Sequence, residues 1–264
     1  MAAPMVVGSL NVRVQVKEDS LKGNGWEKRY PVLAELIQKY DFDIVGTQEP
    51  RKNQLQDLSR GLPGYSYFGI ANTSSASGEY AAIFYKKERL LVLDSGFFWF
   101  SETPEQQSKG WDAVNYKNCN WGKFQDKQSD SVFYVFNVHF DHKGQMAQYE
   151  SAVLLLRKVK EIAGDTPVIL LGDFNASQTS GAYQLITSSG FSDAYQIAET
   201  WGNKRGTLSL FDLRYDKDYR IDHIFVNRYF NISYYSVLID SYLDKEGTER
   251  LPTDHYPVLT RLNF

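Results

Sequence analysis

Pro167-Val168-Ile169-Leu170-Leu171-Gly172-Asp173-Phe174-Asn175 is the stretch on which the reading of this chain turns. Pro167 to Leu171 is apolar throughout, with no polar residue alternating, which is the pattern of a strand covered on both faces. Gly172 cuts the run, and an aspartate and an asparagine follow at once. Gly, Asp and Asn are turn formers, so on its own the tetrapeptide is an ordinary exit from a strand. In α/β sheets, however, ligands bind at the carboxyl ends of strands, so the same spot is also where chemistry would sit.

Working outward, the arrangement recurs. Val6 to Val12 is an apolar, strand-type segment with Asn11 at its end, and Phe42 to Gly46 is a short buried strand running into Thr47-Gln48-Glu49-Pro50. Ser131 to His139 alternates as a strand and ends on a histidine. Glu27 to Tyr40 predicts a helix with Leu33, Leu36 and Ile37 on one face, where Pro31 is tolerable only near the first turn. Lys52 to Arg60 predicts a second helix, and Met146 to Ala163 is the clearest amphipathic helix of the chain. Tyr80 to Tyr85 and Leu90 to Phe98 read as paired strands joined by the polar turn Lys86-Lys87-Glu88-Arg89. Ile221 to Val226 and Tyr256 to Leu262 complete the strands. No repeat and no long Pro/Gly linker divides the chain, so residues 1–264 are read as a single domain. Ala71 to Gly78 and Glu102 to Asn120 have loop composition, and long loops inside a compact domain usually carry function.

Composition narrows the classes. With 42% hydrophobic and 23% charged residues over 264 positions, the chain is an ordinary globular protein. Its net charge of −3 and the lack of any Lys/Arg run argue against a long polynucleotide as partner, because binding one rests on neutralising phosphates. Extended duplex DNA is therefore not expected, and nothing points to a protein partner. Cys119 is the only cysteine, so an intramolecular disulfide is impossible. No stretch approaches the ~20 apolar residues of a membrane span. Met1 to Met5 carry no basic or apolar leader, which leaves a cytoplasmic protein by default, or an exported one if the chain is a processed form.

The strand-end residues Asn11, Glu49, His139, Asp173 and Asn175 make two carboxylates, two amides and a histidine. That oxygen-rich set suits Mg²⁺ or Mn²⁺ better than zinc. Singly, Asn11 could be a turn residue and Glu49 a helix cap. Two histidines, His223 and His255, each directly follow an aspartate. There is no Gly-x-Ser-x-Gly elbow, and Cys119 has no evident histidine partner, so acyl transfer is not supported. Gly23-Asn24-Gly25 lacks the third glycine of a dinucleotide fingerprint.

Six motifs in order carry a resemblance: Ser9-Leu10-Asn11-Val12-Arg13, Gln48-Glu49, His139-Phe140-Asp141-His142, Gly172-Asp173-Phe174-Asn175, Ile221-Asp222-His223-Ile224-Phe225 and Thr253-Asp254-His255-Tyr256-Pro257-Val258. Together they resemble the endonuclease/exonuclease/phosphatase superfamily over essentially the whole chain. The resemblance implies a DNase I-like fold: a four-layered α/β sandwich, two mainly antiparallel sheets face to face with helices outside. It implies Glu49 as principal metal ligand with Asn11 and Asp254 nearby, and Asp173 as the residue that orients or deprotonates the attacking water. It further implies Asn175 on a phosphate oxygen, Asp222 orienting His255, and His139 donating to a nonbridging oxygen.

There are departures. Arg13 stands where several family nucleases have an acid, which puts a second metal in doubt. The chain is similar to small bacterial metal-dependent hydrolases of the superfamily, which share its Trp99-to-Pro104 and Gly110-Trp111-Asp112-Ala113 stretches and the later Trp121. Lys117 replaces an arginine there, keeping the charge but not the bidentate fork. Lys117 and His142 are candidate substrate contacts, and Trp111 and Trp121 either stack on a substrate ring or anchor a loop. The expected activity is hydrolysis of phosphate esters, first as a phosphodiesterase on a small or single-ended substrate such as a phosphorylated small molecule or nucleotide. A phosphomonoesterase on a sugar, nucleotide or inositol-type phosphate comes next. A DNase-type nuclease and a non-catalytic binding module follow.

Overall fold

A computed structural model of the chain describes residues 3–264. The reading of Met1 to Met5 as leaderless touches residues 1 and 2, which lie outside the described residues. The chain begins with β1 (Met5–Asn11), α1 (Lys17–Leu21), α2 (Trp26–Lys39), β2 (Ile44–Gln48), α3 (Lys52–Gly61) and β3 (Tyr65–Phe68). It continues through β4 (Ala81–Lys86), β5 (Leu90–Trp99), β6 (Asn118–Asp126), β7 (Val132–His139), α4 (Gln145–Ala163) and β8 (Val168–Asp173). Then come α5 (Gly181–Ser188), β9 (Phe191–Asp193), α6 (Ala194–Ile197), β10 (Thr200–Trp201), β11 (Asp222–Asn227) and β12 (Asn231–Val237). The small hairpin β13 (Tyr242–Leu243) and β14 (Glu249–Arg250) precedes the last strand, β15 (Val258–Asn263).

One sheet has the order β10-β12-β15-β1-β2-β4-β3 and the other β5-β6-β7-β8-β11-β9. The pairs β1 with β2, β7 with β8 and β10 with β12 are parallel, and the other pairs within these two sheets are antiparallel. Two parallel strands need a long crossover. Helix α2 lies on the β1-to-β2 connection and α4 on the one from β7 to β8. The apolar run in β8 follows from its position. Ile169 and Leu171 face the other sheet, where they join Val7, Ile44 and Ile83, while Leu170 turns outward to the helix layer with Leu155 and Ile186. Helices α2 and α3 cover the first sheet with Leu33, Ile37, Leu55 and Leu58. The result is the four-layered α/β sandwich that the family resemblance implies.

Under the polar end the two sheets come very close. A Cβ on Gly46 would lie 2.1 Å from Leu171 Cδ1 and 2.7 Å from Asn137 Oδ1, so only glycine lets the sheets close there. Asn137, buried between them, donates to the Thr47 and Ala82 carbonyls at 3.1 and 2.9 Å and accepts from Gln48 Nε2 at 2.8 Å.

The strand pairing read from the sequence needs correcting. Tyr80 to Tyr85 and Leu90 to Phe98 are not partners: β4 pairs with β2 and β3, and β5 with β6 in the other sheet. The polar turn Lys86–Arg89 is a crossing between sheets. Arg89 pins it by inserting a buried guanidinium between Asp43, at 2.8 Å, and Asp126, at 3.3 Å. Strands β3, β6 and β12 are not predicted from the sequence, because none of them carries an aliphatic run or a clean polar/apolar alternation. Asn118 to Asn120 accordingly belong to a strand, not to the preceding loop. Among the described residues no helix is long and apolar enough to cross a membrane.

Candidate functional site

Strands β1, β2, β7 and β8 all finish at one end of the sandwich, and so deliver Asn11, Glu49, His139 and Asp173 to one place. The backbone there is bent to do it. Arg13, Glu49 and Asn175 have φ of 60°, 70° and 48°, a left-handed conformation that costs a non-glycine residue ~1 kcal/mol or more. Local hydrogen bonds hold these bends. Arg13 N–H donates to Asn11 Oδ1 at 2.9 Å, Asn175 N–H to Asp173 Oδ1 at 2.9 Å, and Val14 N–H to Glu49 Oε2 at 2.9 Å. Gly172 precedes the turn with φ of 143°, and a Cβ there would sit 2.1 Å from the Val138 carbonyl oxygen.

Asn11 braces the carboxylates of the two sheets. Its Nδ2 donates to Glu49 Oε1 and to Asp173 Oδ2, each at 3.0 Å. Because its Oδ1 is taken by Arg13 N–H, Asn11 turns nitrogen, not a ligand oxygen, toward Glu49. Asp173 Oδ2 is also 3.6 Å from His139 Nε2 and 3.9 Å from His255 Nε2. His255 Nδ1 is 2.9 Å from Asp222 Oδ2. Thr207 supports that pair: its hydroxyl accepts from the N–H groups of Ile221 and Asp222, and its carbonyl accepts from Tyr256 N–H. His223 points elsewhere, since neighbours on a strand face opposite sides. Its Nε2 contacts the Ala176 carbonyl at 2.9 Å.

Charge in this cluster is strongly redistributed. Burial and the nearby Asp222 carboxylate push the Asp173 carboxyl up to about 7, despite His255 and two hydrogen bonds. Burial would likewise raise Glu49, but the Val14 N–H, the Asn11 amide and the His255 imidazolium oppose it and hold the group below its ordinary range. Burial alone would lower His255; Asp222, Asp173 and Asp254 overcome it and keep the imidazole protonated well above its ordinary range. His139 goes the other way, lowered by burial and by Lys117. Lys117 Nζ sits 3.0 Å from His139 Nε2, so in this arrangement Lys117 is the donor and His139 the acceptor. Donation from that nitrogen to a phosphate would require Lys117 to turn away first.

A cleft of about 290 Å³ opens over these groups. It exposes Glu49, His139, His142, Lys117, Asp173, Asn175, Asp254 and His255, and also Arg13, Glu79 and Asn115, which the sequence reading did not single out as lining it. Glu79 and Asn115 lie in loops, where no periodicity marks them. Asp222 is buried behind His255 and does not line the cleft.

Neither tryptophan lines it either, so of the two roles read for them from the sequence the packing fits the anchor and not the ring-stacking contact. Trp121 lies on the helix-facing side of β6, stacked on Phe136 with ring centroids 6.2 Å apart, whereas His139 opens to the cleft. Trp111 packs at the edge of the same outer cluster, and its backbone N–H is held by the Glu102 carboxylate. Both are anchors.

Among the described residues, two groups bring potential metal-ligand atoms within 4.8 Å of one another: Glu49, His139 and Asp173, and Asp173, Asp222 and His255. His139 Nε2 is already engaged by Lys117, and in the second group His255 Nδ1 is tied to Asp222, itself a member of the group. Carboxylates remain. Glu49 and Asp254 repel one another, and burial together with that repulsion raises Asp254, whose Oδ1 is buried without a protein partner. Such a pair fits a hard divalent cation.

The comparisons agree with this geometry. The family described as "Endonuclease/Exonuclease/phosphatase family" matches residues 8–255. A solved mannosyl-6-phosphatase of Bacteroides thetaiotaomicron is 42% identical, with a TM-score of 0.95, covering 98% of this chain and 100% of that one. An endonuclease/exonuclease/phosphatase protein of Bacteroides vulgatus is 35% identical with a TM-score of 0.90, and each chain is covered fully (100%). An uncharacterized protein of Acanthamoeba polyphaga mimivirus is 26% identical over 89% of this chain and 91% of its own length. The chain belongs to the endonuclease/exonuclease/phosphatase family of hydrolases.

Proposed function

We propose that this chain, acting as one domain, is a Mg²⁺- or Mn²⁺-dependent phosphomonoesterase for a small phosphorylated substrate of the sugar-phosphate kind. The observation that carries the reading is that Asp173, the His255 imidazolium and Lys117 share a cleft of only about 290 Å³. That is at the lower end of small-molecule sites, ~300–1,000 Å³. A phosphate and one ring fit such a space better than a polymer does. The cations suit a dianionic monoester, and the name of the 42% identical mannosyl-6-phosphatase supports the same class. This reverses the order given by sequence, which put a phosphodiesterase first.

In this reading Asp173, with its carboxyl near neutrality, takes the proton of the attacking water. His255, oriented by Asp222, and Lys117 stabilise charge on the phosphoryl oxygens, and Asn175 holds one of them. Glu49 and Asp254 hold the cation, while Asn11 keeps Glu49 and Asp173 in register. When bound, the metal supplies Lewis acidity toward a phosphoryl oxygen.

The test compares hexose 6-phosphates, nucleotides, bis-p-nitrophenyl phosphate and plasmid DNA, each with Mg²⁺, Mn²⁺ or chelator. Preferred turnover of a monoester, lost with chelator and insensitive to salt, supports the proposal. Efficient duplex cleavage falling steeply with added salt would replace it with a nuclease.

A further inference from the structure

We infer that Glu79 selects the alcohol half of the substrate: its carboxylate accepts hydrogen bonds from hydroxyl groups of a polyol whose phosphate lies at Asp173 and His255. The inference rests on the phosphomonoesterase reading and deepens it.

Glu79 stands just ahead of β4, where the Tyr80 N–H to Pro50 carbonyl bond of 2.9 Å ties it beside the Glu49 bend. Its loop is stitched to the far side of the cleft through one residue. Asn72 N–H donates to the Glu79 carbonyl at 2.8 Å, and Glu79 N–H donates back to Asn72 Oδ1 at 3.0 Å. Asn72 Nδ2 then reaches the Tyr116 carbonyl at 2.9 Å, next to Lys117, and Trp99 Nε1 donates to the Asn72 carbonyl at 3.0 Å. Glu79 and Lys117 therefore sit on one rigid wall, made from the two long loops.

The backbone of Glu79 is fully used, but its carboxylate is not. Burial and the facing Glu49 raise it, the cations Lys117, Arg51 and Arg13 act only at a distance, and no hydrogen bond contributes. Lys117, the leading cation, is turned to His139. A carboxylate in a cleft that admits a phosphate dianion cannot itself contact that phosphate, since like charges repel in a site of low dielectric. It needs neutral donors, and the hydroxyl groups of the ester's alcohol are the donors that arrive with the substrate. A cavity of about 10 Å³ between Asn72, Glu79, Lys117 and His139 leaves room there for about one oxygen atom. Hydrogen bonds from hydroxyl to carboxylate are among the strong ones, and a site built for them rejects analogues that lack the hydroxyl.

The test measures kcat/KM of wild type, Glu79→Gln and Glu79→Ala on a hexose 6-phosphate and on p-nitrophenyl phosphate, which has no hydroxyl groups. In parallel, calorimetry compares binding of the hexose 6-phosphate with inorganic phosphate in the presence of Mg²⁺. The selectivity for the sugar ester should fall at least ~10-fold in Glu79→Ala, through KM more than kcat, with Glu79→Gln in between. An equal loss on both substrates, an unchanged ratio, or loss of a bound cation in Glu79→Ala would each overturn the assignment. A wild type that hydrolyses neither ester refutes the phosphomonoesterase reading alone. The calorimetric preference for sugar phosphate over phosphate, and its loss in the variant, then still decides the role of Glu79.

Discussion

Asp222 Oδ2 lies 2.9 Å from His255 Nδ1, a contact between the end of one sheet and the entry to the last strand of the other. The carboxylate keeps the imidazole protonated and fixes its plane. Asp222→Asn and His255→Ala should each lower kcat/KM about 10²- to 10⁴-fold. The double variant should be little worse than His255→Ala, because residues acting as one unit are not additive. Steady-state kinetics of the four proteins measures this, and additive losses would mean that the two act separately.

Glu49 is the most acidic carboxylate of the cleft and the proposed anchor of the cation. Glu49→Ala should lower metal-dependent kcat/KM by about 10³-fold. It should also abolish the rise in Tm that Mg²⁺ or Mn²⁺ gives the wild type. Thermal melts with and without the ion read this apart from activity. Near-normal turnover at limiting Mg²⁺ would remove Glu49 from the role.

Asp141 supports the wall of the cleft. Its Oδ1 accepts from the N–H groups of Lys143 and Gly144, both at 2.9 Å, and its Oδ2 from Val114 and Asn115, both at 3.0 Å. Burial pushes the carboxyl up, but these donors and Lys117 prevail and hold it below its ordinary value. A depressed carboxyl stabilises the folded state fully above the unfolded value of ~4 and loses that contribution as pH falls through the folded one. Asp141→Ala should cost about 2–4 kcal/mol at pH 7, measured by urea denaturation. The gap to wild type should narrow below pH ~4, and a gap independent of pH would contradict the charge argument.

Lys117 immediately precedes β6 and Trp121 lies within it, and the two should separate cleanly. Lys117→Ala should raise KM ~10-fold or more, the size of a lost charge-assisted hydrogen bond. Trp121→Ala should instead cost about 2 kcal/mol of stability and leave KM near that of wild type. A tenfold rise in KM for Trp121→Ala would restore it to the substrate site.

How much of this was legible follows from what a sequence can encode locally. Asn11, Glu49 and Asp173 stand out because each follows an apolar run, and His139 because it ends an alternating one; the end of a strand is a local signal. The Asp–His relationship was not local. Residues alone offered Asp222-His223 and Asp254-His255 as adjacent pairs, whereas strand alternation sends His223 behind the Asp173 turn to Ala176. Trp121 misled because its ring chemistry says nothing about which side of β6 it occupies. Arg89 misled because a polar tetrapeptide looks like a hairpin turn, although its guanidinium is buried among carboxylates from two different sheets. Glu79 and Thr207 act through contacts between loops, for which no periodicity exists.

Asn137 has a consequence of a different kind. Its amide is satisfied by Gln48 and by the Thr47 and Ala82 carbonyls only while the two sheets hold one lateral alignment. A greasy interface tolerates sliding, because apolar packing given up on one side is recovered on the other. A buried amide does not, since any slip strands its donors and its acceptor at a cost of ~1–3 kcal/mol for each group left unpaired. The pair thus supplies uniqueness. With Asn137 and Gln48 both made aliphatic, the Thr47 and Ala82 carbonyls lose a donor, so the protein should melt earlier and also work more slowly, since Glu49 and Asp173 ride on opposite sheets and their separation is no longer singular.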